Sequence, residues 1–166
     1  ELGDVETGEI GELLVRGPNV FSGYWGRPDA TAAAFVDGWF RTGDLAERSG
    51  DGYYTLRGRR TELIISGGFN IYPREIEDSL HHHPDVVDCA VLGVPDDRWG
   101  EILYAVVQPR ADASLDADGV ITWCRKSLAD YKRPRVVEFV DELPRDPNGK
   151  VRKPKLREAW LARERA

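Results

Sequence analysis

The sequence contains no methionine, only two cysteines and no long apolar run. A helix that crosses a bilayer needs about 20 mostly apolar residues, so the sequence predicts no membrane span. Cys89 and Cys124 lie far apart, in no spacing typical of a metal or redox site, and are expected to be buried free thiols. The acidic, glycine-spaced residues 1–4 lack the features of a secretory signal, so we expect a cytoplasmic protein.

A chain that begins without methionine also favours a segment from the middle of a longer protein. The net charge of −6 argues against a general nucleic-acid partner. Residues 125–157 differ, with eleven Lys or Arg against five Asp or Glu. A basic segment on an acidic protein suits a site for an anionic small molecule, although a solvated basic face would explain the charge equally well.

Residues 1–59 predict strands, tight turns and one short helix. Residues 11–16 form a strand that ends at a Gly-Pro turn, and the strand at 39–41 is expected to end before Asp44. Asp51-Gly52 next to the strand at 53–56 is typical of a tight hairpin. This part is therefore predicted to be a small β-rich subdomain.

From residue 60 onward strands and helices interleave. Pro73 begins a helix whose buried face carries Ile76 and Leu80, four residues apart. A second helix over 116–129 is expected to place three apolar residues on one side: Ile121, Cys124 and Leu128. The β-branched runs predict three long strands: 86–94, 102–108 and 136–140. The fold class is therefore α+β, with a compact domain over 60–166 whose three-stranded sheet is flanked by helices.

Three clusters of residues carry recognisable chemistry, and the first is Trp39-Phe40-Arg41-Thr42-Gly43-Asp44. A carboxylate just after a strand and a glycine can accept two hydrogen bonds from neighbouring hydroxyl groups, such as those of a ribose. Charge-assisted bonds of this kind are short and directional. Taken alone, Thr-Gly-Asp is also typical of an ordinary turn.

The second cluster runs from Gly58-Arg59 through Ser66-Gly67-Gly68-Phe69-Asn70-Ile71-Tyr72-Pro73 to Glu77. Paired glycines after a strand allow the backbone to approach a ligand closely, because no side chain obstructs it. The alternative is a plain turn between a strand and a helix.

The third cluster is Leu143-Pro144-Arg145-Asp146-Pro147-Asn148-Gly149-Lys150. Its prolines and its Asn-Gly pair predict a stiff loop with Lys150 at the tip. Such a lysine can project into a cleft as a point charge between two anions, or it can simply be solvated.

In this order, the clusters resemble the adenylate-forming superfamily, which includes acyl-CoA synthetases, luciferases and the adenylation domains of peptide synthetases. The resemblance covers about residues 8–156. It also rests on Gly23-Tyr24-Trp25 ahead of the aspartate and on Tyr131-Lys132-Arg133-Pro134 ahead of the lysine. Residues 64–73 resemble fatty acyl-, malonyl- or aryl-CoA synthetases, whereas peptide synthetases usually carry a charged, arginine-containing version of this loop.

The resemblance implies the C-terminal part of an ATP-dependent acyl-CoA synthetase. Such an enzyme activates a carboxylic acid as acyl-AMP with release of pyrophosphate, and then transfers the acyl group to CoA. Residues 1–59 would end the large ATP- and acyl-binding domain, and residues 60–166 would form the mobile C-terminal domain. Mg²⁺ is expected to bind through residues of the missing N-terminal domain, so this segment alone is expected to be inactive.

The resemblance also assigns roles to individual residues. Asp44 would bind the ribose hydroxyls of ATP, with Arg59 beside the nucleotide. Lys150 would bridge the substrate carboxylate and the α-phosphate, and Gly67 with Gly68 would line the passage for the pantetheine arm of CoA. The domain would rotate between the two steps.

Two residues depart from the family pattern. Thr61 occupies the hinge position, two residues after Arg59, where relatives usually have Asp or Lys. Arg145 stands where many relatives have a lysine, within the segment that protein acetyltransferases recognise. Acetylation of Lys150 is therefore an open expectation.

Other interpretations stay open at this stage. The chain could be a non-catalytic lid or interaction module, or part of an adenylation domain that loads a carrier protein. The run His81-His82-His83 is not expected to bind a metal, because neighbouring helical side chains point in different directions. The identity of the carboxylic acid cannot be read, because its pocket lies in the missing domain.

Overall fold

The computed structural model describes residues 3–165 of the chain. It contains two compact units, an N-terminal unit (Glu1–Thr61) and a C-terminal unit (Glu62–Ala166). Both units combine helices with strands, so the predicted α+β class is confirmed. The predicted boundary between residues 59 and 60 lies two residues earlier than the division between the units, and the role of each unit stays a prediction.

The N-terminal unit is an antiparallel sheet with one short helix. Its elements are β1 (Ile10–Val15), α1 (Pro28–Ala34), β2 (Phe35–Val36), β3 (Trp39–Arg48) and β4 (Tyr54–Arg59). Strand β3 pairs with each of the other three strands. Because β3 continues to Arg48, the prediction that the strand would end before Asp44 is wrong.

A bulge in β3 explains this difference. The register with β1 shifts between the pairs Glu12–Leu45 and Leu14–Arg41, so that Leu13 alone faces residues 42–44. Gly43, at the centre of the bulge, has a φ of 73°, which is accessible to glycine at little cost. The sequence signals a break at this position, and the chain makes a local bulge without leaving the sheet.

The C-terminal unit has a five-stranded sheet. Its strands are β5 (Ile64–Ser66), β6 (Phe69–Ile71), β7 (Val86–Asp96), β8 (Gly100–Pro109) and β9 (Val136–Phe139), and its helices are α2 (Pro73–His81), α3 (Ala117–Ser127) and α4 (Lys153–Glu164). The order is β6-β5-β8-β7, with β9 parallel to β8. The sheet thus has two strands more than predicted, because the short segments on either side of the paired glycines form a hairpin that joins it.

The two faces of this sheet carry separate hydrophobic clusters. Side chains alternate along β7, as a strand requires. Cys89 and Val91 belong to the cluster that includes α2 and α3. Leu92 and Val94 belong to the cluster that includes α4 and the buried Leu143. The sheet is therefore covered by helices on both faces.

The helices test the predicted faces directly. Ile76 and Leu80 are fully buried on α2, as their spacing predicted. On α3 the buried residues are Val120 and Cys124, whereas Ile121 lines an open, solvent-exposed pocket. The prediction was therefore correct for Cys124 and for Leu128, which packs against the same core, but wrong for Ile121. No helix within residues 3–165 is long and apolar enough to cross a membrane.

Candidate functional site

The bulge in β3 places Asp44 next to Arg59 on the neighbouring strand. The two residues are paired in the β3–β4 register, and Arg59 Nε lies 2.7 Å from Asp44 Oδ1. Arg59 Nη1 also donates to the Thr42 carbonyl at 3.1 Å. The Asp44 side chain retains 28% of its exposure. The structure thus brings together two predicted site residues and leaves the carboxylate open to a ligand.

The Thr42 hydroxyl fixes the backbone of the bulge. It donates to the Leu13 carbonyl at 2.7 Å, and it accepts a hydrogen bond from the Asp44 N–H at 3.0 Å. One hydroxyl therefore ties the bulge to β1 and sets the position of Asp44.

Gly67 and Gly68 form the two-residue turn of the β5–β6 hairpin. Both have positive φ, 57° and 85°, as the tight type I′ turn requires. A Cβ at Gly67 would lie 2.6 Å from Cε3 of Trp99, and the Gly67 N–H donates to the Trp99 carbonyl at 2.9 Å. Nothing lies within 4 Å of a Cβ at Gly68. The turn is therefore packed on one side and open on the other.

Positive charge surrounds the tryptophan that supports this turn. The guanidinium carbon of Arg135 lies 4.5 Å from the centre of the Trp99 ring, and that of Arg98 lies 5.0 Å from it. On the outer side of the hairpin, exposed Phe69 stacks on Tyr131 with ring centres 4.5 Å apart. An exposed aromatic pair and two arginines near an open backbone turn suit a ligand with a flat ring and phosphates.

Lys150 lies on a loop whose backbone is closed by hydrogen bonds. Asp146 N–H donates to the Lys150 carbonyl at 2.8 Å, and Asp146 Oδ1 accepts from the N–H groups of Asn148 and Lys150 at 2.9 and 3.0 Å. Gly149 has a φ of 83°. The predicted stiff loop is present, and the side chain of Asp146 is its principal stabilising group.

The ammonium group of Lys150 is available to a ligand. The residue is exposed, and within residues 3–165 its Nζ takes part in no ion pair or hydrogen bond. Lys153, three residues later, is different, because its Nζ lies 2.7 Å from Glu62 and 2.9 Å from Glu77. Burial alone would lower the pKa of Lys153, but these carboxylates hold it above its ordinary value. Lys150 is therefore suited to recognition, and Lys153 to structure.

The predicted hinge residue, Thr61, lies in a short 3₁₀ turn over Arg60–Glu62. The next residue, Glu62, is held by Lys153 at the start of α4. This ion pair attaches the segment after Thr61 to the C-terminal unit. The hinge role of Thr61 stays a prediction.

The histidines and cysteines behave as structural residues. His83 packs edge-to-face on Trp123, and His82 Nδ1 lies 2.6 Å from the Asp78 carbonyl. Among the described residues, no group of three or more His, Cys, Asp or Glu side chains could hold a metal ion. Both cysteines are buried and free, and burial raises the pKa of the Cys124 thiol to about 11.

Three contacts near the site escaped the sequence analysis. They are the contact of Trp99 with Gly67, the Lys153 ion-pair cluster, and the pairing of Arg145 with Asp88. Each joins residues more than ten positions apart. The sequence offered a local signal for the first of them, because Trp99 stands directly before Gly100 at the start of β8.

The chain is similar to known proteins. Residues 75–150 match the sequence model of the AMP-binding enzyme C-terminal domain family. The chain is 52% identical over 153 residues to a feruloyl-CoA synthase from an Amycolatopsis species, which covers 92% of this chain and 31% of that protein. It is 51% identical over 155 residues to an indoleacetate–CoA ligase from Aromatoleum aromaticum, which covers 93% and 30%.

Solved structures agree with these matches. The crystal structure of ATP-bound MatB from Rhodopseudomonas palustris is similar with a TM-score of 0.88 and 44% sequence identity, over 94% of this chain and 31% of that one. The predicted resemblance to the adenylate-forming superfamily is thus confirmed. Residues 75–150 carry the AMP-binding C-terminal domain. The chain spans only about 31% of the length of the curated relatives that it matches.

Proposed function

We propose that this chain is the C-terminal part of an AMP-forming acyl-CoA ligase. The enzyme joins a carboxylic acid to ATP, releases pyrophosphate, and transfers the acyl group from acyl-AMP to the thiol of CoA. The observation that carries the proposal is the exposed Lys150 ammonium at the tip of a loop closed by hydrogen bonds. The named CoA ligases among the relatives support the same reaction class.

Lys150 acts in the adenylation step. A carboxylate that attacks the α-phosphate brings two anions together, and a cation between them offsets their repulsion most strongly where the charge is shared, in the transition state. Losing one preorganised group of this kind typically costs about 10²–10³ in rate. The closed backbone of the loop supports this role, because it limits where the ammonium can go.

Asp44 binds the ribose of ATP, and Arg59 orients it. A carboxylate has two oxygens and can accept a hydrogen bond at each. Arg59 contacts Oδ1 of Asp44, so Oδ2 keeps its full capacity to accept from a hydroxyl. Arg59 also adds positive charge beside the nucleotide.

The turn at Gly67-Gly68 lines the path of CoA in the thioester step. Its open side at Gly68 allows a narrow chain such as pantetheine to lie against the backbone. Arg135, stacked on Trp99, supplies positive charge for the CoA phosphates. Between the two steps, the C-terminal unit rotates at Thr61. Lys150 then leaves the reaction site, and this turn takes its place.

Other parts of the proposal concern the whole protein. ATP and CoA are its cosubstrates, with Mg²⁺ held by residues of the N-terminal domain, and its location is cytoplasmic. Acetylation of Lys150 by a protein acetyltransferase would remove the charge that adenylation needs and so inhibit the enzyme. This modification stays a prediction, because Arg145 stands where many relatives have a lysine in the segment that acetyltransferases recognise.

The proposal is tested on the full-length protein that contains this chain. Pyrophosphate release and CoA thioester formation are measured with ATP, CoA and a panel of aryl, fatty and dicarboxylic acids. We expect at least one acid to give both products. Asp44→Asn should raise the KM for ATP about 10–100-fold, as expected for a lost charge-assisted hydrogen bond, whereas the exposed control Asp29→Asn should not. Absence of pyrophosphate release with every acid would contradict the proposal.

A further inference from the structure

Arg145 connects the Lys150 loop to the central sheet. Its Nη1 donates to the Gly149 carbonyl at 2.5 Å, and its Nη2 pairs with Oδ2 of Asp88 on β7. The arginine therefore contacts both the residue that precedes Lys150 and a strand of the five-stranded sheet.

Asp88 is itself held firmly. Its side chain is only 19% exposed, and its Oδ1 accepts from the Cys89 N–H at 2.7 Å and lies 3.1 Å from His81 Nε2. Strand β7 pairs with β8 along almost its whole length. Asp88 is thus held in place, and its pairing with Arg145 fixes the loop relative to β7.

The other bonds of the loop do not replace this connection. Those made by Asp146 close the loop on itself, and the bond from Arg152 N–H to the Pro144 carbonyl at 2.7 Å closes its base. These contacts fix the shape of the loop. Among the described residues, Arg145 provides the side-chain hydrogen bonds that tie the loop at Gly149 to the sheet, while Val151, directly after Lys150, packs against the hydrophobic cluster that includes α4.

We propose that Arg145 is a positioning residue for Lys150, with Asp88 as its anchor on β7. This inference rests on the proposed function, because it assumes that Lys150 acts in adenylation. Arg145 holds the carbonyl next to Lys150, so that the ammonium occupies a narrow range of positions without any contribution from the substrate. A planar guanidinium holds the two partners with two separate nitrogens in a fixed geometry, whereas a lysine would have to reach both with a single nitrogen.

The test separates the two half-reactions of the full-length enzyme. Arg145→Ala should lower kcat for acyl-AMP formation about 10–100-fold, the loss typical of a misplaced catalytic group, while thioester formation from supplied acyl-AMP is unchanged. Asp88→Asn and Arg145→Lys should each lower kcat for acyl-AMP formation less than Arg145→Ala does, again with thioester formation unchanged. The control is Arg163→Ala, which removes an exposed arginine that pairs with Glu138, away from the loop.

A second measurement does not depend on catalysis. Amide hydrogen exchange of residues 146–151 should accelerate in Arg145→Ala and Asp88→Asn, but not in Arg163→Ala. Equal loss of both half-reactions, or full adenylation activity with unchanged exchange, would overturn the inference. If Lys150→Ala left adenylation intact, the proposed function would be contradicted. If Lys150→Ala lost adenylation but Arg145→Ala kept it, only the role of Arg145 would be contradicted.

Discussion

Two adjacent glycines in the β5–β6 turn face different surroundings. Both adopt positive φ, a conformation that costs an L-residue roughly 1–2 kcal/mol. Only Gly67 packs against another group, the ring of Trp99, whereas Gly68 faces open space. The two glycines therefore meet different requirements. Gly67 must fit against the tryptophan, and Gly68 must leave room for a ligand.

Alanine substitution should distinguish these roles. Gly67→Ala should destabilise the chain about 1–3 kcal/mol more than Gly68→Ala, because its Cβ would overpack the Trp99 ring. Gly68→Ala should fold well but slow the thioester half-reaction selectively. Chemical denaturation and half-reaction assays measure the two effects. Equal loss of stability in both variants would contradict the assigned packing.

Among single contacts, the sequence predicted local ones better than distant ones. The Lys150 loop followed from its prolines and its Asn-Gly pair, because turn chemistry is encoded in neighbouring residues. The pairing of Asp44 with Arg59 depends on the register of two strands, and no local pattern specifies that register. The contact between Arg145 and Asp88 joins residues 57 positions apart and was invisible in the sequence.

At the scale of elements, one partly buried lysine joins three segments. Lys153, the first residue of α4, pairs with Glu77 on α2 and with Glu62 after the hinge position. The side chains of Lys153 and Glu77 are only 18% and 16% exposed. Without the lysine, two carboxylates would remain close together with no compensating charge.

Lys153→Met should therefore destabilise the chain by about 3–5 kcal/mol, the usual cost of breaking a buried ion pair. The exposed control Lys155→Met should change the free energy of unfolding by less than about 0.5 kcal/mol. Urea denaturation of the two variants gives the comparison. A similar free energy of unfolding in both variants would show that the Lys153 cluster is not a structural anchor.

Elements were predictable where periodicity was strong. Helix α2 shows its buried face in the sequence because Ile76 and Leu80 are its main apolar residues. Helix α3 offers several apolar residues on adjacent faces, and tertiary packing selects Val120 where the sequence suggested Ile121. The three long strands were predictable from β-branched runs, but the three-residue strands β5 and β6 are too short to carry a period.

At the scale of the whole molecule, the groups that we propose for the two half-reactions lie on different parts of the chain. Asp44 and Arg59 lie on the N-terminal unit, and Lys150 and the Gly67-Gly68 turn lie on two loops of the C-terminal unit. The family could be predicted from the order of these motifs. The acid could not, because the chain spans about 31% of the length of its relatives.

We propose that Lys150 serves one half-reaction only. An internal ion pair would have contradicted this claim, and within residues 3–165 the Lys150 ammonium has none. Lys155, five residues later and also exposed, provides a control of the same charge.

The most direct measurement compares Lys150→Ala and Lys155→Ala in the full-length enzyme, with the two half-reactions assayed separately. We predict that Lys150→Ala lowers the rate of acyl-AMP formation by about 10²–10³ and leaves thioester formation from supplied acyl-AMP unchanged. Lys155→Ala should affect neither step. Equal loss of both half-reactions in Lys150→Ala would contradict the account.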